Sequence, residues 1–242
     1  MSNVRDDDAS TPSIVDAYSH LLSLAAHEFR TPASVVGGYL RMLQKDTESP
    51  LSERQLKMVD EAFNACTRIV GIVAELSEIA KLDSNIAPVK TETFDLFTDL
   101  ANVARNVQER ASRDVQLQLG GYAEGARMTG DRSRLVSAFD AFFRALLREQ
   151  PTAVTLVADR RLVTSGNSTA ATIIIAKDTD VQRAYEAAPR PFDEHRGGVG
   201  LSLPIARRVV ERAGGRVWSP TPDSDDDRGL RSAVVVSIPL PE

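Results

Sequence analysis

The sequence predicts an α+β chain that begins with an antiparallel helical hairpin and continues into a mixed α/β sandwich of strands and helices. The first observation is a heptad pattern, in which apolar residues recur at alternating steps of three and four. The second is a repeat of that pattern after a break at Pro50 and Ser52. The third is a change beyond Pro88, where short β-branched runs alternate with helically spaced apolar residues.

The two heptad patterns predict two long helices joined by a short turn, which is the arrangement of an antiparallel hairpin. A lone hairpin of this kind has a wide apolar surface, so we expect it to pair with a second copy as a dimeric four-helix bundle. The first pattern is formed by Val15, Tyr18, Leu22, Ala25, Phe29, Pro32, Val36, Tyr39 and Leu43. The second is formed by Leu56, Val59, Phe63, Cys66, Val70, Val73, Ser77 and Ala80.

Composition divides the chain into three parts. Residues 1–12 are acidic and polar and predict a flexible tail, and residues 13–85 hold the hairpin. After a polar break, residues 89–242 form the second domain. Within it we expect helices at 94–113, 135–147 and 203–213, and strands at 115–119, 154–157, 172–176, 216–218 and 233–238.

The composition also excludes several classes of protein. The chain has 242 residues and a formal net charge of −5, which argues against nucleic acid and anionic membranes as partners. It has a single cysteine, Cys66, so no intrachain disulfide can form, and no apolar run is long enough to cross a bilayer. Three histidines and one cysteine leave little material for a structural zinc site. We therefore expect a cytoplasmic protein.

His27 is the residue with the most informative surroundings. With Val15 and Tyr18 at heptad positions a and d, His27 falls at position f, opposite the apolar face, where the imidazole should meet water. Glu28 is its neighbour, and Thr31 lies one helical turn further on the same face. An exposed imidazole beside a carboxylate can act as a nucleophile, although the same spacing also fits an ordinary surface histidine.

The string Ala-His-Glu-Phe-Arg-Thr-Pro at residues 26–32 resembles the phosphoacceptor box of bacterial two-component sensor histidine kinases. The resemblance implies that His27 accepts a phosphoryl group and that Glu28 is its acid/base partner. It also implies that Thr31 positions a water when the phosphorylated partner is dephosphorylated, and that a helix kink follows at Pro32. In this family the receiver domain of a response regulator docks on the bundle below the histidine.

The second half resembles the ATP-binding domain of the same family, which implies ATP and Mg²⁺ as cofactors. Asp178 follows the apolar run 172–176 and occupies the place of the aspartate that reads the adenine amino group. Phe192 occupies the place of the lid phenylalanine. A glycine-rich turn that opens a helix suits phosphates, because its backbone N–H groups point towards them. The residues of this turn are Gly198, Gly200 and Leu201.

Two departures from the family pattern affect this nucleotide site. Asp140 and Arg144 stand where the family has two asparagines, of which one chelates Mg²⁺. Aspartate can offer an oxygen to the metal, whereas arginine only donates hydrogen bonds and repels a cation. The pair also fits a purely structural i,i+4 ion pair. In the turn after Asp178, the family's two glycines are replaced by Asp180 and Gln182, which should reshape the adenine pocket.

These features predict a degenerate ATPase-like domain in a two-component phosphorelay protein that carries a phosphoryl group on His27 and exchanges it with an aspartate of a response regulator. ATP-dependent kinase activity is expected to be weak or lost. One alternative is an active cytoplasmic histidine kinase, and another is a non-catalytic regulator or phosphatase that binds receiver domains. A tail of twelve residues cannot hold an input domain, so an upstream sensor kinase is a further expected partner.

Overall fold

The computed structural model describes residues 14–84, 86, 89–108, 114–150, 153–224 and 227–241. The chain forms two compact units, Met1–Ala87 and Pro88–Glu242. The flexible tail expected at residues 1–12 lies outside the described residues. The α+β class is confirmed, because a helical hairpin is followed by a domain with an α/β sheet.

The first unit consists of two long helices, α1 (Ile14–Lys45) and α2 (Glu53–Asp83). Helix α1 runs through Pro32. A capping box begins α2, in which Gln55 N–H donates to the Ser52 hydroxyl and Ser52 N–H donates to Gln55 Oε1 at 3.0 Å. The sequence break at Ser52 is therefore the start of the second helix.

The helix faces that meet inside the hairpin are only partly those of the heptad patterns. The pattern on α2 does face α1, because Cys66 and Val73 are buried and the Cys66 thiol donates to the Ala33 carbonyl at 2.9 Å. On α1 the contact face is offset by one residue, so that Ser19 and Ala26 are buried. Several apolar residues of the predicted α1 pattern stay exposed, namely Tyr18, Phe29, Val36, Tyr39 and Leu43. Heptad spacing alone does not select the contact face, because α1 also carries apolar residues outside the pattern, such as Leu21, Leu24 and Val35.

The second unit is built on a six-stranded sheet and a separate antiparallel pair of strands. The strands are β1 (Glu92–Asp95), β2 (Val115–Gly121), β3 (Arg127–Gly130), β4 (Val154–Ser165), β5 (Ser168–Lys177), β6 (Pro189–Arg190), β7 (Arg216–Pro220) and β8 (Val234–Pro239). The sheet has the order β2-β4-β5-β8-β7-β6, and β1 pairs with β3. Strands β2 and β4 are parallel, and the other pairs in the sheet are antiparallel. The helices are α3 (Leu96–Gln108), α4 (Arg132–Glu149), α5 (Val181–Glu186), α6 (Ser202–Arg212) and α7 (Arg228–Arg231).

The core of this unit contains α4, which packs against α3 and α6 and contributes buried Phe139, Phe142 and Phe143. A smaller apolar cluster joins β5 and β8 to the short helices α5 and α7. Ile174 of β5 lies opposite Val235 of β8, and both are fully buried in this cluster with Ala176, Ala184, Leu230 and Ala233. The central strands β5 and β8 therefore bury side chains on both faces.

Some predicted boundaries were wrong. Phe94 lies in β1, which pairs with β3, and the helix expected at 94–113 begins at Leu96. Asp95 accepts a hydrogen bond from Thr98 N–H at 3.0 Å, as a residue at a helix start does. Strands β4 and β5 are longer than expected because a tight turn at residues 166–167 connects them directly. The segment after Asp178, expected to be a turn, folds into a 3₁₀ turn followed by α5.

Candidate functional site

His27 lies on the solvent side of α1, with 74% of its side chain exposed, beside Glu28 with 72% exposed. The two side chains meet at His27 Nδ1 and Glu28 Oε1, which are 3.5 Å apart. Since Nδ1 faces the carboxylate, Nε2 is the ring nitrogen that points away from it. A carboxylate at Nδ1 orients the ring and favours the tautomer in which Nε2 carries the lone pair. This arrangement suits attack by Nε2 on an electrophile that approaches from solvent.

Thr31 is also exposed and lies one turn after His27 on α1. His27, Glu28 and Thr31 all lie within α1 and are exposed, so the imidazole, the carboxylate and the hydroxyl share the solvent side of one helix. The remaining histidines, His20 and His195, are exposed as well, and His195 belongs to the second unit.

Asp140 and Arg144 bind each other on α4. Arg144 Nε donates to Asp140 Oδ2 at 2.5 Å, and Nη2 donates to Oδ1 at 3.1 Å. The hydrogen bonds from the guanidinium to the carboxylate raise the pKa of Arg144 above its ordinary value. Both carboxylate oxygens of Asp140 thus face a cation already. Among the residues that the structure describes, no group of three or more metal-ligating side chains occurs.

Asp178 lies at the exposed end of β5, where its Oδ1 accepts a hydrogen bond from the Thr179 N–H at 2.9 Å. Asp180 is buried instead and pairs with Arg183 Nη1 at 2.7 Å. Gln182 accepts a hydrogen bond from Arg161 Nη2 at 3.0 Å. The positions that lack the family's glycines therefore form a compact helical turn.

Arg183, in the helix that follows this turn, binds three carboxylates. In addition to Asp180 it donates through Nη2 to Asp223 and to Asp227, each at 2.6 Å. These contacts raise the pKa of Arg183 above its ordinary value. They tie α5 to the loop that precedes α7. No sequence pattern pointed to Arg183, since Asp223 is 40 residues away.

The glycine-rich turn before α6 lies against α4. Gly197, Gly198 and Gly200 all have positive φ, at 69°, 58° and 67°. A Cβ at Gly197 would stand 2.5 Å from Ala145 Cα, and Arg148 Nη1 donates to the Gly198 carbonyl at 3.3 Å. Leu201 is the residue at the start of α6. The structure thus brings Gly198 next to the helix that holds Asp140 and Arg144, and it places Asp178 at the end of β5.

Near this turn the structure shows one residue that the sequence did not indicate, Arg196, and one that it did, Phe192. Arg196 is buried and pairs with Glu149 at the end of α4. Phe192 was expected in a lid, and its ring packs edge-on against buried Phe142 with centroids 5.7 Å apart. A buried arginine next to two glycines gives no local signal, because its partner is 47 residues away.

Comparison with known proteins identifies the first unit. Residues 17–85 match the His Kinase A (phospho-acceptor) domain family. The swarming motility regulation sensor protein RssA of Serratia marcescens is 25% identical over 224 residues, 89% of this chain and 45% of that protein. The sensor protein DivL of Caulobacter vibrioides is 27% identical over 205 residues, 79% of this chain and 25% of that protein. The chain spans less than half the length of these two relatives.

Solved structures show the same fold. Full-length ShkA in complex with AMPPNP superposes with a TM-score of 0.64 at 19% identity, covering 92% of this chain and 46% of ShkA. The histidine kinase ThkA in complex with the response regulator protein TrrA gives a TM-score of 0.54 at 16% identity, covering 96% of this chain and 68% of that one. Among the described helices of the present chain, none combines the length and the apolar character that crossing a membrane requires.

Proposed function

Because the chain carries a His Kinase A phosphoacceptor domain and is homologous to sensor histidine kinases, we propose that it is a two-component phosphorelay protein. It accepts a phosphoryl group on His27 and exchanges it with an aspartate of a response regulator. The observation that carries this proposal is the exposed imidazole of His27 with the Glu28 carboxylate at Nδ1.

The transfer needs one nucleophile and one place for a proton. His27 Nε2 attacks the phosphorus of an aspartyl phosphate, a P–N bond forms, and the P–O bond to the aspartate breaks with its electron pair leaving on oxygen. The imidazole would become cationic, and Glu28 stabilises or takes the Nδ1 proton. The reverse step returns the phosphoryl group to the aspartate. Thr31, on the same surface, is the group we assign to positioning a water during dephosphorylation.

ATP-dependent autophosphorylation is weak or lost in this proposal. A Mg²⁺ ligand at position 140 would have to compete with the Arg144 guanidinium for the carboxylate oxygens. The Asp180 and Gln182 positions form a helical turn in place of flexible glycine backbone, and Gly197 is pressed against Ala145. These residues do not fit a Mg²⁺–ATP complex, so no step is assigned to ATP, Asp178, Gly198, Gly200 or Leu201.

The partners follow from the same reasoning. A receiver domain of a response regulator supplies or accepts the phosphoryl group, and an upstream sensor kinase is its original source. A second copy of the chain covers the apolar face of the hairpin, where Val36 and Tyr39 are exposed. We place the exchange in the cytoplasm, which agrees with the single cysteine. Neither nucleic acid nor a membrane is a proposed partner, given the net charge of −5.

Phosphoryl labelling tests this function directly. The wild-type chain is mixed with γ-labelled ATP and Mg²⁺ in one series and with a labelled, phosphorylated receiver domain in another. We expect label on the chain from the receiver and little or none from ATP. The substitution His27→Ala should abolish labelling, whereas His20→Ala, on the same exposed side of α1, should leave it unchanged.

Two results would change the conclusion. Strong labelling from ATP that depends on His27 would identify an active histidine kinase. Absence of label from either donor would leave only a non-catalytic protein that binds receiver domains.

A further inference from the structure

We propose that residues 192–198, called the strap below, are locked onto α4 by the buried Arg196 side chain. The contacts of Arg196 keep the strap packed against α4, which is the closed position, and need no nucleotide to do so. This inference rests on the proposed function, because it names what keeps the degenerate site shut. The strap leaves the edge strand β6, crosses to α4 and ends just before α6.

Arg196 is the centre of the lock. Its side chain is only 5% exposed, and its Nε donates to Glu149 Oε1 at 3.0 Å while Nη2 bonds to Oε2. Nη2 also donates to the Ser232 carbonyl at 2.8 Å, and Nη1 donates to the Ala233 carbonyl at 3.3 Å. A guanidinium that is taken out of water is stable only with such a set of acceptors. The strap, the end of α4 and the start of β8 are therefore joined through one side chain.

Further contacts hold the strap on either side of Arg196. Before it, Phe192 packs on Phe142, and Glu194 pairs with Arg207 of α6. After it, Gly197 fits against Ala145 so closely that a methyl group has no room. Segments of low local stability have few buried contacts and few internal hydrogen bonds. The strap differs from them, because Arg196 and Phe192 supply hydrogen bonds and ring packing against α4.

The strap contacts α4 close to the Asp140–Arg144 pair, so the lock affects access to this part of the helix. Gly197 lies against Ala145, the residue after Arg144. The Gly198 carbonyl accepts a hydrogen bond from Arg148, which lies one helical turn after Arg144. The closed strap thus runs beside the Asp140–Arg144 pair. Opening this side of α4 requires Arg196 to leave Glu149 and two carbonyl groups at once.

Trypsin cleavage after Arg196 measures opening of the strap in the full chain. Between Arg183 and Arg207 the only other arginine is Arg190, which precedes a proline and resists trypsin. Because Arg196 must leave its buried site to enter the protease, the cleavage rate follows the open population. The substitution Glu149→Ala strands a buried charge and should speed cleavage at Arg196 by about tenfold or more.

The matched control is Asp99→Ala, which removes the Asp99–Arg132 pair at the other end of α4 and should leave this rate unchanged. Glu194→Ala, which frees the strap from Arg207, is the second test variant and should also speed cleavage. It decides the outcome if circular dichroism shows that Glu149→Ala is unfolded. Millimolar Mg²⁺–ATP should leave the wild-type rate unchanged.

Rapid cleavage of wild-type Arg196, no acceleration in the folded test variants, or a change of several-fold on adding Mg²⁺–ATP would overturn the lock. The labelling experiment distinguishes failure of the proposed function from failure of the lock. A chain labelled at His27 from ATP but cut slowly at Arg196 would contradict the weak-kinase proposal and keep the lock. A chain labelled only from the receiver but cut rapidly at Arg196 would support the weak-kinase proposal and contradict the lock.

Discussion

Gly197 and the Asp140–Arg144 pair show how single residues set the contacts of α4. An asparagine at position 144 would present an oxygen and an amide, whereas the arginine fork binds both oxygens of Asp140. Gly197 has a positive φ and also lies against the helix backbone, so it meets two separate requirements for glycine. The neighbouring Gly198 has a similar φ, but a Cβ there would have no atom within 4 Å.

This difference predicts unequal effects of two alanine substitutions. Gly198→Ala should cost about 1–2 kcal/mol, because only the left-handed backbone is strained. Gly197→Ala should cost about 2–5 kcal/mol, because overpacking against Ala145 adds to the same strain. Urea unfolding of the two variants and the wild type measures both values. Equal losses would contradict the close packing of the strap on α4.

Among the secondary-structure elements, α5 shows the largest departure from expectation. The resemblance to the ATP-binding domain implied a turn after Asp178 that the missing glycines would reshape, but residues 181–186 form a helix whose Ala184 is fully buried in the cluster with Leu230. Arg183 then binds Asp223 and Asp227 across the surface. The pKa of Asp227 is lowered chiefly by the hydrogen bond that its carboxylate accepts from the Leu230 N–H. The hydrogen bond from the Arg183 guanidinium lowers this pKa further.

The lowered pKa of Asp227 predicts how acid affects the second unit. A carboxyl with a depressed pKa stabilises the folded state above its unfolded pKa, which is about 3.9, and loses this contribution as the pH falls through the folded value. Wild type should therefore be more stable than Asp227→Asn at pH 6, and the difference should shrink below about pH 4. Urea unfolding at several pH values tests this. A difference that stays constant down to pH 3 would contradict the assignment.

For the whole molecule, the exposed face of α1 raises the question of assembly. Val36 and Tyr39 are 51% and 65% exposed, although they belong to the heptad pattern. Within the hairpin, the buried residues include Ser19, Ala26 and Cys66 but not Val36 and Tyr39. The face of α1 that holds Val36 and Tyr39 is therefore available to a second hairpin.

The exposed face predicts a dimer that one charge can break. Val36→Glu should convert the chain to a monomer, because it would place a carboxylate in the apolar interface. Ser34→Glu, on the polar side of the same helix, should leave the dimer intact. Analytical ultracentrifugation of both variants is the measurement. A wild-type chain that is monomeric at high concentration would overturn the four-helix bundle.

Local patterns predicted those features that depend on neighbouring residues. The two helices and the exposed site of His27 follow from heptad spacing, since a helix brings together residues three and four apart. The pairing of β1 with β3 and the burial of Arg196 could not be predicted in this way. Their partners lie more than one element away, and a local window contains no information on that contact.

The sequence by itself determined the α+β class, the hairpin and the phosphoacceptor string around His27, because helix periodicity and a continuous motif are local properties. It also predicted that Asp140, Arg144, Asp180 and Gln182 depart from the pattern of the family that the second half resembles. Only the tertiary structure decided that Asp140 and Arg144 bind each other, that α5 packs over the sheet and that Arg196 holds the strap on α4. The physical reason is that burial of a charge and close backbone packing depend on contacts between distant parts of the chain.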